Sequence, residues 1–255
     1  VCSSDLYYNK PEATAETIDA DGWLHSGDAG RLTPEGHLVV IDRLSDVMHT
    51  SRGETFSPQY VENRLKFSPY IKEVVVFGEG RDYIAAFINI DMGNVGSWAE
   101  DRMIPYTTYS DLASQRPVEE LILGEVRLIN ETYGIRLAAE RAEQDEIKHL
   151  SDILARASQW IDARNSEQLM LLDREFHNVL ALASKNLVLA DALSKLHDRS
   201  LRFWFISLNR PGHHAHVHAQ HEAILAAIRD HDPDGAEQAM RSHIEEFRSN
   251  LTRSI

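Results

Sequence analysis

Cysteine is almost missing from this chain: among 255 residues only Cys2 carries a thiol, so no internal disulfide can staple the fold. No apolar run approaches the roughly 20 residues that a membrane-spanning helix needs, and no secretory signal pattern is present. Basic charge is scarce as well. The formal net charge is -14; residues 1–130 hold 11 Lys and Arg against 21 Asp and Glu, and residues 131–255 hold 15 against 19. Neither half offers the basic stripe that a phosphate backbone attracts, so no direct DNA binding by this chain is expected. A loop rich in Gly, Ser or Thr that could cradle a triphosphate is also absent. A cytoplasmic address without a membrane span is the expectation that remains.

What is present is an ordinary globular mixture. Hydrophobic residues make up 43% and charged residues 26%, enough apolar surface for real cores, in a chain long enough for two compact domains. The opening Val1-Cys2-Ser3-Ser4-Asp5-Leu6 resembles the translated tail of a common sequencing adapter, so residues 1–6 are expected to be an artefact and to carry no fold information. Thereafter the character of the text changes once, near Asn130 to Gly134, which divides it into residues 7–130 and 131–255.

The first part alternates short β-rich runs with turn signals. Gly30-Arg31-Leu32 and His37-Leu38-Val39-Val40-Ile41 flank Pro34-Glu35-Gly36, which predicts a hairpin. Ser57 can cap a helix whose first position is Pro58. Val74 to Gly78 and Tyr83 to Ile90 read as two further strands joined by Glu79-Gly80-Arg81-Asp82, completing a small α+β module.

These runs carry a resemblance. Tyr8-Asn9-Lys10-Pro11-Glu12-Ala13-Thr14, Gly22-Trp23-Leu24-His25-Ser26-Gly27-Asp28 and Ile41-Asp42-Arg43 resemble consecutive motifs of AMP-forming acyl-CoA synthetases. Phe67 to Glu73 and Asn94 to Trp98 are similar to their bacterial long-chain members. The resemblance implies that Asp28 grips the ribose hydroxyls of ATP, a task for an acceptor-only carboxylate, and that Arg43 contacts the same nucleotide. ATP or AMP and CoA are cofactors of that family. Its hinge position, usually Lys or Asp, is Ser45 here, and its late catalytic lysine has no counterpart beyond Asn130. Adenylation needs a triphosphate site and charge neutralisation at the attacked phosphorus; a C-terminal fragment with vestigial nucleotide contacts and no catalysis of its own is expected.

The second part is helical: glycines become few, Ala and Leu frequent. Ile135, Ala138, Ala142, Ile147, Leu150, Leu154 and Trp160 recur at helical spacing through 134–163, and further helices are expected at about 166–184, 187–207, 214–229 and 235–253, an all-α bundle. Asp173 and His177 stand four apart and share a helix face. His221 and His243 lie eleven residues either side of Asp232, so an antiparallel hairpin brings both imidazoles to one height. One carboxylate and three imidazoles suit Zn²⁺, Ni²⁺, Mn²⁺ or Fe²⁺, and an octahedral ion so held keeps two open positions for a small carboxylate effector. Taken singly, each histidine reads equally as a core or surface group.

A second resemblance groups them. Leu137 to Ala142, Asp173-Arg174-Glu175-Phe176-His177, Ala181 to Asn186, His221 to Ile228 and Ala239-Met240-Arg241-Ser242-His243 resemble the ligand-binding (FCD) domain of FadR-type regulators in the GntR family. That resemblance implies a helical bundle with an internal divalent metal held by one Asp and three His. Arg141 and Arg202 read either as anchors for the effector carboxylate or as surface ion pairs. His213, His214, His216 and His218 read as a polar helix entry rather than a metal trap, and Leu201, Trp204, Phe205 and Leu208 as core or dimer packing.

The expected whole is an α+β synthetase C-terminal fragment followed by an FCD-like all-α bundle: a metal-dependent sensor of a small carboxylate, able to form a homodimer through its helices, without the winged helix-turn-helix of its family. Two alternatives stand beside it, a fragment of a long-chain fatty acid–CoA ligase and a chimeric assembly product with no joint function.

Overall fold

The computed structural model describes residues 7, 9–32, 36–163, 165–207 and 213–252. Its elements run α1 (Pro11–Thr17), β1 (Asp28–Leu32), β2 (Leu38–Arg43), β3 (Met48–His49), β4 (Thr55–Phe56), α2 (Pro58–Leu65), β5 (Ile71–Phe77), β6 (Ala85–Ile90), α3 (Met92–Glu100), α4 (Tyr109–Ala113), α5 (Arg116–Arg141), α6 (Gln144–Asp162), α7 (Ser166–Ala183), α8 (Leu187–Ser207), α9 (His213–Arg229) and α10 (Pro233–Thr252). The fold is a small sheet-containing part followed by an all-helical part.

β1 and β2 form the expected antiparallel hairpin, with Asp28 opposite Arg43 and a bulge between Ala29 and Gly30; Pro34 and Glu35 of its turn lie outside the described residues. A Cβ at Gly30 would stand 2.8 Å from the Val39 carbonyl oxygen, so the close strand approach there depends on glycine. The hairpin has little core of its own: Leu38, Val40 and Ile41 are all exposed. At α2, Pro58 occupies the first turn and the Ser57 hydroxyl accepts from the Tyr60 N–H. α2 and the β5–β6 pair enclose Phe56, Leu65, Ile71, Val74 and Val76.

α5 belongs to both parts. Ile122, Val126 and Ile129 pack on the β5–β6 cluster, and Val118 and Leu121 join Val95, Ala99 and Leu112. Further along the same helix, Leu128, Ile135, Ala138 and Ala139 enter the large core shared with α6, α7, α9 and α10. The boundary read at residues 130 and 131 therefore falls inside an unbroken helix of 26 residues. Tyr133 continues the contact: its ring lies 6.0 Å from that of Tyr60 on α2, with the Arg64 guanidinium 5.1 Å above it.

The run 134–163, read as one helical stretch, is two helices. Ala142 turns extended at φ -61°, ψ 133°, and Glu143 opens α6 with a reciprocal capping box to Glu146. Helical phase survives the break, which is why the apolar spacing hid it. The later helices fall where the sequence places them. Asn165 caps α7 by accepting from Gln168. α9 and α10 turn through His231 in the left-handed region, and the Asp232 carboxylate accepts from the Gly235 N–H at 2.9 Å. The break expected at Asn209 to Gly212, and Leu208 with it, lie outside the described residues, as do the side chains of Leu201, Trp204 and Phe205. Among the described residues no helix is long and apolar enough to cross a membrane.

Candidate metal centre

Three helices of the bundle aim ionisable side chains at one point. α7 supplies Asp173 and His177 one turn apart, α9 supplies His221, α10 supplies His243, and each is less than a tenth exposed. The α9–α10 hairpin places the His221 and His243 rings 4.8 Å apart, and His177 lies 5.4 Å from each of them. One donor atom each from His177, His221 and His243 fall within 4.8 Å of one another. Asp173 Oδ1 lies 3.5 Å from His221 Nε2. The four residues read from the sequence are thus brought together.

Two further residues share the cluster. His197, on α8, is buried, stacks on His177 at 4.5 Å and puts Nε2 3.2 Å from Asp173 Oδ2. Glu131, on α5, points Oε2 at His177 Nδ1 from 3.6 Å and is itself held by the buried Arg127 Nε–H at 2.7 Å. α8 can approach α5 closely because position 134 is glycine, where a Cβ would meet Leu193 Cδ1 at 2.9 Å; His197 follows Leu193 by one turn.

The polar bookkeeping is unusual. Of the ten buried side-chain atoms without a hydrogen-bond partner among the described residues, seven lie in this cluster: Glu131 Oε2, both Asp173 oxygens, His177 Nε2, both His197 nitrogens and His221 Nε2. The 3.2 Å contact of His197 with Asp173 is thus close but misaligned for a hydrogen bond. Native interiors leave few such groups, because each costs about 1–3 kcal/mol. Seven in one spot offer lone pairs that a cation could take up.

Protonation states agree. Burial, with the neighbouring His197 ring, pushes His177 well below the usual imidazole range; burial, with His243, does the same to His221, and burial lowers His243. For Asp173, burial pulls upward and is outweighed by the adjacent His197 and His177 rings, so the carboxyl is held below its ordinary value. Neutral imidazoles and an ionised carboxylate are the forms that ligate a cation.

A hydrogen-bond relay fixes one tautomer. Glu246 Oε2, an acceptor only, receives the Gln220 Nε2–H at 2.8 Å and the His216 Nε2–H at 2.6 Å. Gln220 therefore presents Oε1 to His243 Nδ1 at 2.9 Å, and His243 must donate there. Its Nε2 is left with a free lone pair toward the cluster. Of the histidines at the start of α9, His216 serves this relay, while His214 and His218 line a cavity beside His221.

Beside a smaller cavity of about 10 Å³ lined by His243, Gln220 and Glu246, two cavities flank the cluster. One, about 20 Å³, is lined by Glu131, Gly134, His177, Leu193, His197 and Met240; the other, of equal size, by Ile153, Leu154, Leu169, Leu172, Asp173 and His221. Each holds about one water.

Other expected site residues lie elsewhere. Arg141 is exposed and donates to the Ser184 carbonyl at 2.9 Å; it lines neither cavity. The side chain of Arg202 lies outside the described residues. Asp28 and Arg43 meet at 3.2 Å as a solvent-facing pair on the hairpin, with the Arg43 side chain 64% exposed, a geometry of little energetic weight.

Fold and site define an α-helical bundle with a buried Asp/His cluster at its centre, preceded by a small α+β module. Comparison with known proteins finds a match for each part. Residues 123–246 match the FCD domain, and residues 45–105 match the AMP-binding enzyme C-terminal domain. The chain is 32% identical over 131 residues to long-chain-fatty-acid–CoA ligase 1 of Cavia porcellus, spanning 51% of this chain and 19% of that protein. It is 30% identical over 121 residues to the peroxisomal long chain acyl-CoA synthetase 7 of Arabidopsis thaliana, 47% of this chain and 17% of that one. The chain therefore spans about a fifth of the length of the ligases it matches. Among solved structures, E. coli McbR/YncC shares the fold at a TM-score of 0.51 with 16% identity, over 55% of this chain and 71% of that one.

Proposed function

We propose that the helical part, beginning near residue 123 rather than 131, is a metal-dependent effector-binding domain of the GntR-regulator type. Asp173, His177, His221 and His243 hold a divalent transition ion, Zn, Ni, Mn or Fe. The observation that carries this reading is the convergence of buried donors, most of them without hydrogen-bond partners, in one cluster. The bound ion would supply a Lewis-acidic position for one oxygen of a small carboxylate. The protein side is all present: Asp173 contributes the charge, Glu131 adds a second carboxylate 3.6 Å from His177, and the Gln220–Glu246–His216 relay orients His243. Since each flanking cavity holds about one water, an effector enters by displacing side chains, which gives the bundle a means of responding to occupancy. Exposed Leu171, Leu182 and Leu187 on α7 and α8 offer apolar surface to a second copy.

The test is metal content. Purified full-length chain is expected to carry close to one equivalent of divalent metal by elemental mass spectrometry, and His221→Ala combined with His243→Ala to carry essentially none. Equal metal in both proteins would end the proposal.

The identity to long-chain ligases supports descent of the first part from such an enzyme. We infer that it does not adenylate on its own, because Asp28 and Arg43 pair with each other in solvent and among the described residues no phosphate loop stands near them. ATP–pyrophosphate exchange with long-chain fatty acids is expected to stay at background; exchange that Asp28→Ala abolishes would reverse this inference.

A further inference from the structure

His197 is the one buried histidine of the cluster that the four-ligand set leaves without a task. Its position is not that of a packing residue. It is buried, yet both ring nitrogens lack hydrogen-bond partners, a double deficit that a core histidine avoids by pairing at least one nitrogen. One donor atom each from Asp173, His177 and His197 lie within 4.8 Å of one another, as do those of His177, His221 and His243. Two triads therefore share His177.

Two of the separations match neighbouring ligand positions on an ion. With metal–nitrogen bonds of about 2.1 Å, neighbouring donors of an octahedron stand about 3.0 Å apart and opposite ones about 4.2 Å. His197 Nε2 lies 3.2 Å from Asp173 Oδ2 and His221 Nε2 lies 3.5 Å from Asp173 Oδ1, each close to the neighbouring spacing and each on its own oxygen of the carboxylate. A tetrahedron has no room for five donors. α8 is locked in place by the approach of Leu193 to Gly134, so His197 is presented by a rigid element and not by a loop.

Resting on the metal reading above, we propose that His197 is a fifth protein ligand, making an N₄O set that selects a six-coordinate ion and leaves a single exchangeable position. Ions that accept octahedral nitrogen-rich sets, Ni²⁺ and Fe²⁺, then fit better than tetrahedral Zn²⁺. A carboxylate effector binds such an ion through one oxygen, not two. Its second oxygen is left to protein donors.

Cobalt(II) loaded into the full chain reads the ligand count directly, because the imidazole N–H protons of coordinated histidines are shifted far outside the diamagnetic proton NMR range. Four shifted exchangeable signals are expected in the native chain, with the weak visible bands of a six-coordinate ion. Three are expected in His197→Gln, with cobalt still bound. Three signals in the native protein, or intense tetrahedral bands, would overturn the fifth ligand while leaving the metal reading intact. Failure of the native chain to take up cobalt would overturn both. The native count stands even where His197→Gln fails to fold, and His197→Asn repeats the comparison.

Discussion

Removing the metal from the full-length chain is expected to lower its melting temperature by about 8–16 °C. The figure follows from linkage: an ion present at about a thousand times its dissociation constant stabilises the folded state by about 4 kcal/mol, and in a chain of this size each kcal/mol moves the midpoint by about 2–4 °C. The physical source is the set of seven unpartnered buried atoms. Without an ion they represent desolvation with nothing in return; with one, the carboxylate and imidazoles gain a shared partner. The sign is opposite to that of a surface cation, whose removal changes little. Thermal scans before and after treatment with a chelator make the measurement, and restoring the metal should restore the midpoint. In the His221→Ala, His243→Ala protein the two scans should superimpose, because the ligand set is broken whatever the stability of that variant. A chelator-insensitive midpoint in the native chain would mean that the cluster is a neutral imidazole core and not a metal centre.

Much of this centre was legible before any coordinates. Asp173 and His177 announce a shared helix face by their spacing, and the symmetric distances of His221 and His243 from Asp232 follow from hairpin geometry alone. His197 was missed although a signal existed: Leu189, Ala190 and Leu193 form a buried stripe, and a histidine one turn further on that stripe must point inward. Glu131 was hidden differently, since it sits at the place where the two family resemblances meet and was read as part of a junction. The break at Ala142 went unseen because apolar phase continues across it, while the Glu143–Glu146 capping box was the available sign. Arg141 reads from the sequence as either an effector anchor or a surface ion pair, and the structure gives it a third kind of partner. A guanidinium near a helix end suits a carboxylate ligand by chemistry, but a backbone carbonyl at the end of α7 takes it first.

The junction itself gives the other large expected effect. Asn130→Pro should uncouple the two parts of the chain. Position 130 lies in the middle of α5, between residues that pack on β5–β6 and residues that pack in the bundle. Proline there removes the main-chain N–H and drives its ring against the carbonyl four residues back, at a cost of about 3 kcal/mol or more. Because a straight α5 is the rod that both cores share, the loss falls on their connection and not on either core. Hydrogen exchange resolves it: amides of β5, β6 and α3 should exchange about a hundredfold faster than in the native chain, about 3 kcal/mol on the opening equilibrium, whereas α6, α7, α9 and α10 keep most of their protection. Asn130→Ala is the control. It deletes only the Asn130 side-chain bond to the Val126 carbonyl, 2.7 Å long, keeps the helix, and should change exchange little. An exchange pattern in Asn130→Pro indistinguishable from the native one would show that the parts are merely tethered. A uniform loss across the whole chain would show a single cooperative unit. The expected intermediate result, one part loosened and the other held, is what a helix with one face in each of two cores requires.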